Sequence, residues 1–173
     1  KKYGSDIFRM YLMFMGPFTE GGDWNDKGIT GIARFVERFY QLINSSKPGT
    51  STDSKLNSLL HKTIKKVTRD IETLHFNTTI AALMEFSNQA VKTGLDQGGK
   101  NILVRLIAPL APHLAEELWE KIGQKFSIFD QSWPTYEEAL TQDQTIKLPI
   151  QINGKLRGVL EIQRGAPPVA VVT

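Results

Sequence analysis

Ser54-Lys-Leu-Asn-Ser-Leu-Leu-His-Lys-Thr-Ile-Lys-Lys-Val-Thr-Arg-Asp-Ile-Glu-Thr-Leu74 decides the fold class. Leu56, Leu60, Ile64, Val67, Ile71 and Leu74 recur at three- and four-residue steps, which predicts an amphipathic helix over about 54–74 with one buried stripe. At about 100° per residue, Lys62, Lys65, Lys66 and Arg69 fall within an arc of roughly 100°, centred almost opposite that stripe. One face therefore suits a core and the other suits water or an anion.

The same period extends in both directions along the chain. Upstream, Ser5 to Met15 starts with capping residue types and is almost wholly apolar from Ile7, so it reads as a buried helix that ends at Gly16-Pro17. The Gly-, Pro- and Asp-rich stretch to Asp26 reads as an ordered loop, with Trp24 expected to anchor into the core. From about Asp26 to Ile43, a stripe of Ile29, Ile32, Val36, Phe39 and Ile43 predicts a second helix, with Arg34, Arg38 and Gln41 off the stripe. Ser45 to Thr52 has linker composition, and Asp53 is the expected N-cap of the third helix.

Downstream, a fourth helix is expected after Asn77-Thr78, holding Ile80, Leu83, Met84 and Val91 and ending at Gly94. The Gly98-Gly99 pair should precede a fifth helix reaching about Ala108. Pro109 and Pro112 force a break. Leu110-Ala-Pro-His-Leu-Ala-Glu-Glu-Leu-Trp119 then opens a sixth helix, because a first-turn proline gives up no helical hydrogen bond, and Gly123 can cap its end. Ser127 to Pro134 reads as extended chain and Tyr136 to Leu140 as about one helical turn. Trp119, Trp133, Phe35 and Phe39 are expected in the core.

Beyond residue 144 the period changes from helical to alternating. Ile146, Leu148, Ile150, Leu156, Leu160 and Ile162 alternate with polar residues around Asn153-Gly154, a hairpin signal. A two-residue turn would pair even positions with odd ones and set Leu156 opposite a polar position. A three-residue loop, Ile152-Asn153-Gly154, with Gly154 at positive φ and forming a bulge, is therefore expected. An isolated hairpin is marginal in water, so this one should pack on the helices or belong to a further module.

The 173 residues and 40% hydrophobic content fit a single core. No apolar run approaches the roughly 20 residues of a membrane crossing, and no signal peptide opens the chain, so no membrane partner is expected. Lys1 is not a natural start, and the chain reads as a fragment. The absence of cysteine excludes disulfides and thiolate metal sites and suits a cytoplasmic setting.

The net charge of +3 hides an asymmetry. Residues 27–69 hold 9 basic and 2 acidic groups, 70–144 hold 5 and 11, and 145–173 hold 4 and 1. Basic blocks flanking an acidic one suit a polyanionic partner touching part of the surface. The cationic face at Lys62, Lys65, Lys66 and Arg69 is compatible with a merely solvated helix surface. Its only local counter-charges in the basic block, Asp53 and Glu37, tilt the reading towards phosphate. Arg34 and Arg38 join the candidate phosphate contacts. Lys155 and Arg157 beside the hairpin tip form a weaker second group.

Catalytic and metal chemistry find no support in the pattern. His61, His75 and His113 lack zinc-ligand spacing, and His113 with Glu116 and Glu117 reads as a first-turn histidine beside two solvated carboxylates. Gly98-Gly99-Lys100 lacks the spacing of a phosphate loop. No catalytic residue, metal ligand or cofactor site is expected in these residues.

Tyr11-Leu-Met-Phe-Met-Gly-Pro17, Gly21-Gly-Asp-Trp24, the Pro112 to Trp119 helix and Gln151-Ile-Asn-Gly-Lys-Leu-Arg-Gly158 together resemble the C-terminal part of bacterial-type leucyl-tRNA synthetases. The resemblance covers roughly residues 1–165. The helix motif alone would be shared with isoleucyl, valyl and methionyl relatives, while the first two segments and the hairpin select leucine. It implies a mainly α fold, an antiparallel helix bundle of the class Ia synthetase anticodon-binding type, with a short C-terminal β-hairpin. Residues 1–26 would link from a catalytic domain, 27–144 would form the helical domain, and 145–173 would begin a C-terminal tRNA-binding domain.

It further implies a whole enzyme that attaches leucine to its cognate tRNA using ATP with Mg, in which this part is non-catalytic and holds the tRNA body by its phosphates. The catalytic and editing domains of the same chain would be its other partners. The competing expectations are an anticodon-reading domain of an isoleucyl, valyl or methionyl enzyme, and a helical protein-interaction scaffold.

Overall fold

Among the described residues, helical periodicity is realised as six α-helices: α1 (Ser5–Phe14), α2 (Asp26–Asn44), α3 (Ser54–Glu72), α4 (Phe76–Thr93), α5 (Gln97–Ile107) and α6 (Pro112–Lys121). Two 3-10 turns, Ile128–Asp130 and Glu138–Thr141, lead to an antiparallel pair, β1 (Thr145–Ile152) and β2 (Lys155–Gln163). The computed structural model describes residues 3–17, 19–45, 54–142, 145–152 and 155–163. The expected N-cap Asp53 lies outside the described residues, as does the turn at Asn153-Gly154.

α1, α2, α4 and α6 share a centre, α3 leans on α4 and α5, and α5 packs on α6. Met10, Ile32, Phe39, Ile64, Leu83, Phe86 and Leu103 are among the fully buried side chains. Each such side chain contributes roughly 1.5–3 kcal/mol of burial. The α2 stripe is wider than its period suggested, because Phe35 and Leu42 are buried too, and the Phe35 and Phe39 rings meet edge to face at 5.8 Å. On α3, Leu60, Ile64 and Val67 are buried as expected.

Leu74 departs from expectation: α3 stops at Glu72, and Leu74 takes φ 60° with half its surface exposed. The His75 N–H reaches back to the Asp70 carbonyl at 2.7 Å, so the helix closes with a Schellman-type turn whose left-handed position holds leucine instead of glycine. α6 ends the same way with a better-suited residue, for Gly123 has φ 80° and the Gln124 N–H bonds the Trp119 carbonyl at 3.2 Å.

Two helix starts use capping side chains that the sequence reading did not single out. Asn25 accepts from the Lys27 N–H at 2.8 Å and begins α2. Asp96 accepts from the Gly99 N–H at 2.7 Å, which draws Gly98 and Gly99 into the first turn of α5 instead of leaving them ahead of it. α4 likewise starts at Phe76, ahead of Asn77-Thr78.

Trp24 does not enter the core. It is 52% exposed and lies edge-on to Tyr11, ring centroids 4.9 Å apart, while its Nε1 donates to Asp26. Trp133 is also outside the core, whereas Trp119 is buried. Glu116 is not simply solvated: it accepts from the Ser127 hydroxyl and from the Ile128 N–H, which bends the expected extended stretch into the first 3-10 turn.

In the hairpin, Ile152 pairs with Lys155, leaving two residues between the strands, and the register shifts by one between Ile150 and Gln151. Gln151 faces Leu156 and Ile150 faces Gly158, so Arg157 is the extra residue. Beyond it even positions pair with even ones, Leu148 with Leu160 and Ile146 with Ile162. Even-with-even pairing is realised as expected, through a bulge at Arg157 in place of a three-residue loop.

Candidate nucleic-acid interface

The polar face of α3 forms one wall of a concavity of about 590 Å³. Lys62, Lys65, Lys66 and Arg69 all line it, so the arc inferred from helical angles is one site in space. Asp70 near the end of α3, Thr73 and His75 in the turn that follows, Thr78 in the first turn of α4 and Thr141 of the second 3-10 turn line it as well. Cations and hydroxyl groups together can receive the oxygens of a phosphate.

Lys65 and Lys66 carry their own counter-ions. Lys65 Nζ lies 2.5 Å from Glu138 Oε1, with the two side chains 44% and 60% exposed. This pairing holds the Glu138 carboxyl below the usual carboxylate range. Lys66 Nζ lies 2.8 Å from Asp70 Oδ2, whose side chain is only 11% exposed and also accepts from the Thr78 hydroxyl at 2.6 Å. Asp70 and Glu138 both belong to the acidic block of the sequence, so folding brings part of that block against the basic one. Among the described residues, Arg69 has no acidic partner, and it is exposed.

A strap, residues 131–142, runs along one flank of α3 and fixes that side of the bay. Arg105 donates to the Ser132 carbonyl at 2.9 Å, and burial lowers its pKa from the ordinary arginine value. Trp133 Nε1 donates to Thr68 Oγ1 at 2.8 Å, the Glu137 N–H donates to His61 Nδ1 at 3.0 Å, and Ser58 donates to the Leu140 carbonyl at 2.8 Å. Tyr136 stands beside Lys65, whose Nζ is 5.8 Å from the ring centroid.

The other candidates are placed elsewhere. Arg34 and Arg38 are exposed on α2, which packs on α1, α4 and α6, and neither lines the bay. Lys155 and Arg157 are exposed on β2 and do not line it either. Sequence spacing missed Thr73, His75, Thr78 and Thr141. Thr73 follows α3 directly, while His75 and Thr78 come after the turn at Leu74. Among the described residues, no group of three or more His, Asp or Glu side chains is placed to hold a metal, and no helix is long and apolar enough to cross a membrane.

Residues 53–173 match the family model described as the anticodon-binding domain of tRNA ligase. A leucine–tRNA ligase of Dehalococcoides mccartyi is 45% identical over 94% of this chain and 21% of its own length. One from Herpetosiphon aurantiacus is 40% identical over 99% of this chain and 22% of its own. The chain thus spans about a fifth of the length of these curated relatives. Among solved structures, LeuRS (agnB2) of Agrobacterium radiobacter K84, in a ternary complex with tRNA and LeuAMS, superposes with a TM-score of 0.79 at 32% identity, covering 99% of this chain and 25% of that one. The six-helix architecture with its appended hairpin is therefore shared with that protein, and the chain belongs to the family of anticodon-binding domains of tRNA ligases.

Proposed function

We propose that this chain is the tRNA-docking part of a leucine–tRNA ligase, and that the bay along α3 holds the tRNA body by its phosphate backbone. The observation that carries this reading is the convergence of Lys62, Lys65, Lys66 and Arg69 on one concavity. Clustered cations give affinity and position without reading bases. Arg34 and Arg38 on α2, and Lys155 and Arg157 on β2, would add contacts elsewhere along the same RNA.

None of these residues makes or breaks a bond. Their role is to fix the tRNA so that its acceptor end reaches a distant catalytic centre, where the whole enzyme would join leucine to tRNA using ATP with Mg. On this reading the setting is cytoplasmic. Residues 1–26 form the junction with the catalytic part, 27–144 the helical domain and 145–173 the start of a further tRNA-binding module. The exposure of Ile150, Val159 and Leu160 on the hairpin supports a further packing partner for it.

The test is binding to a leucine tRNA transcript and a non-cognate tRNA across a salt series, for the unaltered chain and for the quadruple Lys62→Glu, Lys65→Glu, Lys66→Glu and Arg69→Glu variant. The reading requires a salt slope that the variant flattens. Equal binding by both proteins rejects the bay as the docking surface, and, with leucine tRNA transcripts of altered anticodon added to the series, a loss confined to those transcripts points to anticodon reading.

A further inference from the structure

The C-terminal end of α6 carries a second concavity, of about 400 Å³, opposite in charge to the basic bay. Glu116, Glu117, Glu120, Trp119 and Phe126 are among the residues that line it, and no lysine or arginine of the described residues does. The carboxylates differ in what they already hold. Glu116 accepts from the Ser127 hydroxyl and the Ile128 N–H, and Glu117 is paired with Lys121 at 3.1 Å. The Glu120 carboxylate is exposed and, among the described residues, has neither a hydrogen bond nor an ion pair. Glu116 and Glu120 stand one turn apart, so their charges repel, and the partial negative charge at the end of the helix adds to them.

Two aromatic residues distinguish this cleft from an ordinary acidic helix end. Trp119 is 4% exposed, and among the described residues its Nε1 is buried with no hydrogen-bond partner. A buried donor left unmet costs more than an ordinary hydrogen bond returns. Phe126 is the opposite case, 85% exposed at φ 64°, a left-handed conformation in which a bulky residue is an outlier. The carboxylates call for a cation, the indole N–H for an acceptor and the exposed ring for apolar cover.

A free polyamine answers only the first of these demands, because it donates and does not accept. A polypeptide answers all of them. We propose that this cleft docks a basic segment of a partner protein, with an arginine or lysine side chain between Glu116 and Glu120, a main-chain carbonyl offered to the Trp119 N–H and an apolar neighbour over Phe126. Charge-assisted bonds to carboxylates and the face of an aromatic ring both favour such a cation. The surroundings agree in sign, since residues 70–144 hold 11 acidic and 5 basic groups. The proposal does not rest on the RNA-docking reading, for an acidic cleft repels phosphate.

The experiment titrates the full chain with a labelled peptide of alternating Leu and Arg, with the same peptide carrying Glu for Arg, and with spermidine, for the unaltered chain and its Glu120→Gln, Phe126→Gly and Glu85→Gln variants. The Arg peptide should bind, more weakly as salt rises, and the Glu peptide should not. Glu120→Gln and Phe126→Gly should each weaken the Arg peptide roughly two- to five-fold. Neither threatens the fold, because Glu120 has no partner to lose and glycine suits the left-handed position at 126. Glu85, exposed on α4 and away from the cleft, reports general attraction to the acidic surface, so Glu85→Gln should leave binding unchanged.

An equal loss in Glu85→Gln and Glu120→Gln overturns the proposal, as does unaltered binding in Phe126→Gly and Glu120→Gln, or no binding by the unaltered chain. Spermidine binding as tightly as the Arg peptide, with Phe126→Gly affecting neither, assigns the cleft to free organic cations and also overturns it.

Discussion

Glu138 places its carboxylate 2.5 Å from Lys65 Nζ, so the candidate RNA surface carries a built-in competitor for one of its own cations. An incoming phosphate must displace that carboxylate or share the ammonium with it. Exposed pairs of this kind are worth little to folding, so the contact can yield.

Replacing Glu138 with Gln should therefore strengthen binding of the leucine tRNA transcript by about two- to five-fold while leaving the melting temperature nearly unchanged. If Lys65 gains a phosphate, the salt slope should steepen by roughly 0.7–0.9. A weaker or unchanged affinity would mean that Lys65 takes no part in docking. The Glu138 pKa is lowered by Lys65, so this pair is present above the unfolded carboxyl pKa and is lost as pH falls through the lower folded value.

Asp6 caps a helix that begins more than a hundred residues later. Its Oδ2 accepts the Leu114 N–H at 2.7 Å and its Oδ1 meets His113 Nδ1 at 2.8 Å, while the local N-cap, Ala111, has no side chain to offer. A carboxylate there satisfies an orphan donor and faces the positive end of α6. Asp6→Ala should cost about 1–2 kcal/mol in chemical denaturation. His113→Ala should cost less than about 0.5 kcal/mol, since the ring is 79% exposed and the backbone bond survives it. Equal losses from the two would place the stabilisation in the imidazole contact.

These relationships mark how far the sequence could be read. The α3 stripe and its cationic arc depend only on local period, and Ile64 lies buried and Lys66 exposed as the period requires. The partners of that arc do not. Lys66 and Asp70 are one turn apart and could have been paired by spacing, but Glu138 reaches Lys65 only because the strap is tied along α3. Size and apolar area argue for Trp24 and Trp133 in the core, yet each indole finds its partner at the surface, on Asp26 and Thr68. In the hairpin, alternation fixed which parity pairs with which, but the bulge at Arg157 depends on how the turn and strands share one surplus residue.

Leu74 holds a backbone conformation that costs a leucine roughly 1–2 kcal/mol, at φ 60° in the turn joining α3 to α4. Gly would remove that cost but add unfolded-state entropy and lose half-buried side-chain area. These terms nearly cancel, so the net expectation for Leu74→Gly is a change smaller than about 1 kcal/mol in thermal or denaturant unfolding. RNA affinity should hold, since the turn keeps its course. A loss of stability would show that the leucine side chain contributes more than the strain withdraws.

Two glycines in α2 should respond oppositely to the same substitution. Nothing lies within 4 Å of a Cβ built on Gly31, so Gly31→Ala should gain the usual 0.5–1 kcal/mol, roughly, of helix propensity. A Cβ on Gly28 would sit 2.7 Å from Tyr11 Cε2. That ring cannot readily retreat, because its hydroxyl accepts the Asn25 N–H at 2.6 Å and donates to the Asn25 carbonyl at 2.9 Å. Overpacking of this kind costs about 1–3 kcal/mol, more than the propensity gain, so Gly28→Ala should destabilise. Urea midpoints of the two variants decide the matter: if both rise, Tyr11 and the start of α2 are not rigidly clamped, and the seat of Trp24 on Tyr11 is equally free to shift.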